Sequence, residues 1–533
     1  NTTKLSETRN DSYNVTTQLI ANYAKKFAGK HDINLMAGYE NYYEYIEELG
    51  ADRDGYVLTN FPYLNNGPKD LIGNSGKGKE YAYRSYFGRV MYSYADRYLF
   101  QANIRHDGSS RFAKKHRWGT FPSFSAGWVL SEENFMKNLN WEWLSFLKIR
   151  ATWGALGNER IGDFPYMSTI AFGNTIFYQN NGIYFDQTAS QQKYAIENVT
   201  WEKTESTDIG LDISFLNNRL RVNGDYYWKN TKDMLLAMAI PDFLGFSDPD
   251  VNAGKMSTKG YELNVSWNDH IGDFSYGIAI NFSDFTSKMG DLQGTQFLGD
   301  KVKMEGSEFN EWYGYVSDGL FLTEEDLKNS PKINDKNTQL GDIKYKDISG
   351  PDGVPDGKIS PEYDRVLLGS SLPHFLYGGN INLGYKNFDL SLAFQGVGKQ
   401  NARLAREMVE PFRNNYGNFP AIIDGNYWSP YNTDEQNAVA KYPRLTHVNK
   451  SSNYAMSDYW LFNGGYFRLK NITLGYTFPK EWMNAIGIKG ARIYASASDL
   501  FCLSKYPKGW DPEMGVSEYP ITTSILLGVS VNF

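Results

Sequence analysis

Several segments of this 533-residue sequence carry the side chains that binding or catalysis would need. Residues 73–79 match the Gly-x-x-x-x-Gly-Lys spacing of a phosphate-binding loop. The next residue is Glu80, where such a loop has the Ser or Thr that binds Mg²⁺, and the sequence predicts neither a buried strand before it nor a helix after it. A flexible outer loop is therefore the preferred interpretation of this segment.

The histidines and the cysteine do not indicate a catalytic centre. The histidines are scattered without metal-ligand spacing, and no Gly-x-Ser-x-Gly motif or Ser-His-Asp setting accompanies them. The single cysteine, Cys502, excludes an internal disulfide framework and a cysteine-based metal site. The sequence thus argues against an enzyme. The histidines are His31, His106, His116, His270, His374 and His447.

Residues 347–364 contain clustered carboxylates of the kind that bind calcium. Asp352, Asp356 and Asp364 offer hard oxygen ligands around a glycine-rich turn. With Asp356 at the fifth position of a calcium loop, however, the third and twelfth positions lack oxygen ligands suited to the ion, and Asp364 falls one residue late. Two interpretations remain open, a bound Ca²⁺ and a structured loop of Asx-turns.

Aromatic pairs in the two longest loops are the better candidates for ligand contact. Sugar rings stack their C–H faces on aromatic rings, while their hydroxyl groups bond to Asp, Asn and Arg. The alternative is that these rings pack the loops against each other or against a partner protein. The candidate rings are Trp312, Tyr313, Tyr315, Tyr427, Trp428, Tyr459 and Trp460.

Composition indicates the kind of scaffold that would position these loops. Aromatic residues make up 16% of the chain, there are 50 glycines, and mean hydropathy is −0.52. A membrane β-barrel has this profile because alternation lowers its mean hydropathy while its interfaces require Tyr, Phe and Trp. A soluble all-β carbohydrate-binding protein shares much of it. The net charge of −7 argues against a nucleic-acid partner.

Alternating residues distinguish between these scaffolds. In the hairpin around 95–97, Tyr92, Phe100 and Ile104 share an apolar face, and Arg89 and Gln101 lie on the other. Lipid on one side and a wet lumen on the other impose this pattern. Short turns and long loops alternate strictly along the chain, as they do in outer-membrane barrels. The pattern also predicts an initial loop over 1–11, long loops over about Glu40–Glu80, Thr286–Ser371 and Val397–Gly465, a helical turn opened by Ser131 and a helix at Lys480–Ile486.

The final strand has one apolar face, formed by Leu527, Val529, Val531 and Phe533. Such a strand closes a barrel against its first strand, and Phe533 is the expected terminal aromatic signal for barrel assembly. The pattern predicts about 15 strands, whereas bacterial single-chain barrels have an even number. We therefore expect residues 1–533 to be the C-terminal part of a barrel of about 22 strands, with about seven strands and a plug domain outside this sequence.

Several motifs are more specific than the general residue pattern of a β-barrel. Together they resemble the SusC-type (SusC/RagA) TonB-dependent transporters of the Bacteroidetes outer membrane, over essentially the whole chain. The motifs are Arg105-His106-Asp107-Gly108-Ser109-Ser110-Arg111-Phe112, Gly119-Thr120-Phe121-Pro122-Ser123, Leu147-Lys148-Ile149-Arg150, Trp201-Glu202-Lys203-Thr204, Lys259-Gly260-Tyr261-Glu262 and Tyr466-Phe467-Arg468-Leu469-Lys470-Asn471-Ile472.

The resemblance implies an all-β, transmembrane antiparallel barrel with long extracellular loops, short periplasmic turns and an N-terminal plug. It implies TonB, a SusD-like surface lipoprotein and outer-membrane lipids as partners. It also implies active import of oligosaccharides, with oligopeptides as the alternative cargo. The sequence contains no plug and no TonB box, so energy-coupling residues cannot be assigned. A passive porin-like channel and a surface adhesin are the rival functions.

Overall fold

The computed structural model describes residues 3–58, 60–179, 182–191, 194–238, 240–294, 298–334, 336–413, 418–515 and 518–533. Strands dominate these ranges, and the helices are short. The strands are β1 (Leu5–Phe27), β2 (His31–Arg53), β3 (Ile72–Tyr94), β4 (Tyr98–Ser109), β5 (Trp118–Val129), β6 (Leu144–Asn158), β7 (Ile170–Gln179), β8 (Gly182–Gln191), β9 (Glu202–Phe215), β10 (Leu220–Lys232), β11 (Leu235–Ala237), β12 (Asp250–Asn252), β13 (Met256–Ile271), β14 (Phe274–Met289), β15 (Lys301–Val302), β16 (Glu311–Tyr315), β17 (Ser317–Leu320), β18 (Ile343–Tyr345), β19 (Arg365–Gly369), β20 (His374–Tyr385), β21 (Phe388–Lys399), β22 (Asn401–Arg403), β23 (Leu461–Asn463), β24 (Tyr466–Thr477), β25 (Gly490–Ser504) and β26 (Ser524–Asn532).

The helices lie in the connections between strands. None of them, within the described ranges, is long and apolar enough to cross a membrane. The α-helices are α1 (Asn134–Asn138), α2 (Glu324–Asn329), α3 (Arg406–Val409), α4 (Asp434–Ala438), α5 (Lys450–Asn453) and α6 (Lys480–Ala485), and 3₁₀ turns occur at Leu64–Asn66, Leu130–Glu132, Asp242–Leu244, Ala421–Ile423 and Asp458–Trp460.

Fifteen strands of the described chain form one sheet in the order β1-β2-β3-β4-β5-β6-β9-β10-β13-β14-β20-β21-β24-β25-β26. Neighbours in this order are consecutive long strands, so the sheet is a meander. The predicted antiparallel sheet of about 15 strands is confirmed. Its two edges are β1 and β26.

The chain divides into two compact units, which are described separately. Unit 1 comprises Asn1–Asn134, Ile149–Ile209 and Lys229–Met256, and unit 2 comprises Phe135–Lys148, Gly210–Trp228 and Ser257–Phe533. In unit 1, the turns 28–30 and 95–97 are short, whereas 54–71, 159–201 and 233–255 are long connections. In unit 2, short turns at 272–273 and 386–387 alternate with long connections at 290–373, 400–465 and 505–523. The predicted alternation holds for these connections but is not strict, because the connection 110–117, which should be long, is shorter than the connection 130–143, which should be short.

The predicted loop over Glu40–Glu80 is wrong, because β2 and β3 pair without a break from His31↔Tyr94 to Arg53↔Ile72. The initial loop over 1–11 is wrong for the same reason, since β1 pairs with β2 from Leu5 onward. A strand rises about 3.3 Å per residue, so 23 residues extend far beyond an apolar band about 25 Å tall. Beyond lipid both faces are polar, and the alternation that predicts a strand disappears.

Two local predictions also need correction. The segment 73–79, interpreted as a flexible loop, lies within β3, where Lys77 pairs with Glu48 of β2 at 3.2 Å. A regular strand cannot wrap a phosphate, so the extended backbone also excludes a phosphate-binding loop. Ser131 does not open a helix, because it lies inside the 3₁₀ turn Leu130–Glu132, and α1 begins only at Asn134. The helix at 480–485 agrees with the prediction.

The sheet exposes its apolar side chains instead of burying them. On β26, Leu527 is 82% exposed and Val529 69%, and the terminal Phe533 is 82% exposed beyond the end of the strand. In unit 1, the rings of Tyr98 and Trp128 stack at 6.3 Å and are likewise exposed. In a soluble protein such a surface would be unstable, but in lipid it is the favoured side.

Candidate functional site

The long connections 290–373 and 400–465 of unit 2 fold together into what we call the loop module. Its buried core contains side chains from both connections, which lie on either side of the hairpin β20–β21 in the sequence. The module therefore has a hydrophobic centre of its own. The fully or nearly buried members are Tyr315, Leu320, Ile343, Tyr345, Ile359, Met408, Val409, Ile423, Tyr454 and Trp460.

A buried carboxylate links the two connections. The side chain of Asp342 has no exposed surface and pairs with the Arg444 guanidinium at 2.8 Å. It also accepts hydrogen bonds from the side-chain amides of Asn449 at 2.8 Å and Asn453 at 2.9 Å. A buried charge is stable only when it is paired and hydrogen-bonded in this way. Asp342 consequently fixes the position of one connection on the other.

Two of the predicted ligand-binding rings lie in this core. Trp460 is 2% exposed, donates its indole N–H to the Asn453 carbonyl at 2.9 Å and stacks on Tyr454. Tyr315 is 7% exposed and lies 5.3 Å from the Tyr345 ring. For these two rings, the geometry corresponds to the alternative interpretation, in which aromatic residues pack the loops together.

Three more of the predicted rings are half-buried, and two of them, Trp428 and Tyr459, pack against the same core. Trp428 fills the space beside Gly341, where an added Cβ would come within 2.3 Å of the indole. Gly341 has φ +84°, a conformation that only glycine adopts readily. The Tyr459 hydroxyl donates a hydrogen bond to the Lys441 carbonyl at 2.9 Å. The backbone of Tyr427 forms an isolated parallel β-bridge with that of Tyr442.

The phenols of the core are structural donors. Burial raises the pKa of Tyr345 and that of Tyr454, so both hydroxyls stay protonated. The Tyr345 hydroxyl donates to the Ser452 carbonyl at 2.7 Å, and the Tyr454 hydroxyl donates to the Val409 carbonyl at 3.2 Å. Both groups satisfy backbone carbonyls that would otherwise be buried without a partner.

The remaining two rings, Trp312 and Tyr313, lie on β16 at the edge of the module. The Trp312 indole N–H donates to the Asn401 carbonyl at 2.5 Å, which fixes the plane of the ring. The Lys301 ammonium lies 4.7 Å from the centre of that ring. The Arg365 guanidinium covers Tyr313 at 4.4 Å. Trp312 therefore keeps a fixed and partly accessible ring.

Trp312 lines a cavity of about 410 Å³, which we call the Trp312 cavity. It contains an aromatic wall, amide groups and charged groups, the combination that binds polar oligomers. Its lining is Lys301, Trp312, Ser371, Gln400, Asn401, Ala402, Arg403, Ala405, Arg406, Glu407 and Tyr506.

A second cavity, of about 910 Å³, lies on the other side of Glu407, and we call it the Trp510 cavity. Glu407 lines both cavities and pairs with Arg413. The hydrogen bond from its own backbone amide and the nearby Arg413 lower the pKa of Glu407, so a negative charge stands at the junction. The lining is Glu407, Met408, Glu410, Arg413, Asn418, Phe419, Pro420, Ala421, Ile422, Lys508 and Trp510.

A strand residue positions the wall that carries Trp510. Arg468 of β24 has a side chain only 3% exposed and pairs with Asp511 at 2.5 Å and Glu513 at 2.6 Å. Burial opposes ionisation of Asp511, but the hydrogen bonds from Arg468 and from the Glu513 amide, together with the charges of Arg468 and Lys470, outweigh it and lower the pKa of this carboxyl. One of the family-like motifs therefore anchors the connection 505–523 to the sheet.

Three other motifs contribute to a second loop core, in unit 1. Phe112 is fully buried, with its ring 5.2 Å from that of Trp201, and Phe121 packs edge-on against the same indole. The Trp201 N–H donates to the Arg117 carbonyl at 3.0 Å. Arg111 pairs with Asp163 at 3.2 Å. These motif residues act as a structural centre for the loops of unit 1.

The predicted calcium ligands are not brought together as one site. Asp364 is fully buried, and its two oxygens accept three backbone amide hydrogen bonds, at 2.7, 3.2 and 2.7 Å. Asp356 accepts the Lys358 amide at 3.0 Å, and Asp352 is exposed. Within the described residues, no three His, Cys, Asp or Glu side chains are arranged to hold a metal ion. The hydrogen bonding corresponds to the turn interpretation, and Ca²⁺ binding stays an untested prediction.

Sequence reasoning identified Trp312 but missed most of the residues that line the two cavities. Lys301 and the segment that contains Arg403, Arg406 and Glu407 come from two separate connections, and nothing in their local spacing distinguishes them from surface charges. Trp510 carried a weak signal, since it is a loop tryptophan followed by acidic residues.

Comparisons with known proteins agree with the fold. A family model described as TonB dependent receptor-like, beta-barrel matches residues 1–500. TonB-dependent receptor SusC of Bacteroides thetaiotaomicron is 32% identical over 549 residues, covering 98% of this chain and 50% of that protein. TonB-dependent receptor P3 of Formosa agariphila is 31% identical over 529 residues, covering 94% of this chain and 49% of that protein. The chain thus spans about half the length of these curated relatives.

Among solved structures, the RagAB peptide transporter superposes with a TM-score of 0.82 at 22% identity, covering 99% of this chain and 56% of that one. At this identity the likeness concerns the fold alone. It extends over the sheet and the long connections, because nearly the whole chain is matched.

Proposed function

The chain belongs to the TonB-dependent receptor-like β-barrel family of the outer membrane, and from this premise we propose that it supplies barrel wall and outer loops to an active importer of oligosaccharides. The family consists of transport receptors and not of enzymes. We propose further that an N-terminal plug, TonB and a SusD-like surface lipoprotein complete the transporter, as the family resemblance implies.

The observation that carries this proposal is the pair of cavities that meet at Glu407. Both are bounded by residues of the long connections, and each has an indole in its wall, Trp312 in one and Trp510 in the other. Rings for stacking, with amides, guanidinium groups and carboxylates around them, suit an oligomer with many hydroxyl groups. The two cavities together would accept several sugar units.

Oligopeptides are the alternative cargo. RagAB is a peptide transporter, and the same amide and charged groups would bond to a peptide backbone. The loop aromatics favour sugars, because stacking on a sugar ring needs an accessible and fixed indole such as Trp312.

The cargo can be identified by native mass spectrometry of the full-length transporter, purified with its surface partner. We expect bound species that differ by the mass of one sugar residue. Species that differ by amino-acid masses would establish the peptide alternative. A second measurement tests active transport, namely uptake of a labelled pool of glucose, xylose and galacturonic acid hexamers by cells with and without a proton-motive force. Uptake that persists without the force would identify a passive channel.

A further inference from the structure

The Trp312 cavity has a charge pattern that neutral oligosaccharides do not require. Six cationic side chains line the two cavities or pair with their lining residues, against three carboxylates. The excess of positive charge is concentrated at the Trp312 end, where only Glu407 among the lining residues is acidic. The cations are Lys301, Arg403, Arg406, Arg413, Lys450 and Lys508, and the carboxylates are Asp300, Glu407 and Glu410.

The ion pairs account for most of these charges but not for Lys301. Arg403 pairs with Asp300, and Arg406 pairs with Glu410 at 2.7 Å. Lys301 has no carboxylate within ion-pair distance in the part of the chain that the structure describes, and its ammonium rests on the Trp312 ring. Partial burial lowers the pKa of Lys301, which is the effect expected for a cation without an anionic neighbour.

Arg403 adds a second cationic donor group to the same lining. Its terminal nitrogens bond to Asp300 and to the Tyr454 carbonyl, and its Nε is buried without a hydrogen-bond partner. The Asn401 side-chain amide nitrogen lies 2.5 Å from the position that a Cβ on Gly369 would occupy. The absence of a side chain at Gly369, whose φ is +97°, therefore lets the amide lie close to the backbone there. Polar donors thus converge beside the indole.

We propose that the Trp312 cavity is an anion subsite, which takes a carboxylate or sulfate group carried by the imported oligomer. Lys301 supplies the charge, Arg403 and Asn401 supply donors, and the indole stacks on the ring or chain that bears the anion. The inference rests on the proposed import function and narrows its substrate class to acidic oligomers. The acidic group has two sources, an acidic sugar or an acidic peptide side chain.

The test uses the full-length transporter in detergent and titration calorimetry with matched probes. For sugars, the probes are hexagalacturonate and its fully methyl-esterified form, and a sulfated oligosaccharide with its desulfated form. For peptides, they are hexaglutamate and hexaglutamine. The variant Lys301→Gln removes the charge, and Lys303→Gln on the same connection is the control, because Lys303 does not line the cavity.

We expect at least one acidic probe to bind more tightly than its neutral form. Lys301→Gln should weaken the binding of that acidic probe by about five- to tenfold, as loss of one charged contact predicts. The affinity for the neutral form should stay unchanged. Lys303→Gln should change neither. A sugar probe that responds identifies an acidic glycan, and hexaglutamate an acidic peptide.

The inference is overturned if no acidic probe binds better than its neutral form, or if Lys301→Gln leaves every affinity unchanged. Tight binding of neutral oligosaccharides with no effect of Lys301→Gln would contradict the anion subsite but would agree with oligosaccharide import. Absence of both binding and uptake for every sugar and peptide probe would instead contradict the proposed import function.

Discussion

The sheet and the loop module use apolar side chains in opposite ways. On β26, Leu527 and Val529 are mostly exposed, while Gly528, Ser530 and Asn532 lie with Leu526 on the other face. In the loop module, Trp460 and Tyr315 point inward around a centre of their own. Lipid makes exposure favourable for the sheet, whereas the loops project into water and must bury their own apolar surface. The same apolar residue types are therefore exposed on the sheet and buried in the loop module.

Removing the buried charge of Asp342 should cause the largest loss of stability, and this loss should be confined to the loop module. Asp342→Ala leaves Arg444 and two buried asparagine side chains without their acceptor. Breaking such a pair costs about 3–5 kcal/mol. Hydrogen exchange over 290–373 and 400–465 should therefore accelerate strongly, while heat-modifiable migration of the barrel on gels is retained. Asp318→Ala is the control, since Asp318 is half-exposed. Unchanged exchange would show that the connections do not depend on this hub.

A charge on the outward face tests the other side of the comparison. Leu527→Arg near the middle of β26 should destabilise the folded sheet by about 2–4 kcal/mol, because the guanidinium faces hydrocarbon. The neighbouring substitution Leu526→Arg, on the opposite face, should cost less than about 1 kcal/mol. Denaturant unfolding of the full-length protein in lipid vesicles measures both. Equal costs would contradict the assignment of the two faces.

A smaller effect is expected where the loop module depends on backbone conformation. Gly341→Ala introduces a Cβ at φ +84° that would meet the Trp428 ring. Strain of this kind costs on the order of 1–3 kcal/mol, so the melting of the loop module should occur at lower temperature. Fluorescence of tryptophan follows it. Gly353→Ala, at φ +76° with open space around it, separates backbone strain from the clash. Equal shifts for the two variants would exclude a packing role for Trp428.

The smallest change in stability is expected at Trp312, where the ligand affinity should change instead. Trp312→Ala should reduce folding stability much less than Trp460→Ala, for which about 3–5 kcal/mol is expected. It should weaken oligosaccharide binding by roughly tenfold through the lost stacking surface. Calorimetry with the native cargo and thermal unfolding of both variants compare these two roles. A Trp312→Ala variant that unfolds as readily as Trp460→Ala would place Trp312 in the core.

Sequence reasoning could predict the sheet because lipid imposes a rule that is readable locally. Alternation identified the long strands, and the turn after β3 and the helix after β24 fell where predicted. It failed at the outer halves of β2 and β3, because beyond the membrane no face has to be apolar. The strands there are held by pairing with their neighbours, which has no local signature.

The candidate site was less predictable, since Trp312 and Trp460 look alike in sequence. Each adjoins a tyrosine in a long connection. What separates them is their tertiary surroundings. Trp460 lies in a core to which both connections contribute, and Trp312 lies at the edge of the module, fixed by the Asn401 carbonyl 89 positions away. Pairwise distances of this kind cannot be derived from spacing within a single segment.

The Asp342–Arg444 pair joins positions 102 residues apart, and the hairpin β20–β21 lies between them. Contacts that close over such a distance form slowly, because the entropy of a long chain must be lost first. The hairpin shortens that distance only after it has paired within the sheet. We therefore expect the loop module to mature last, so that the outer surface acquires its binding cavities only on a barrel that is already assembled.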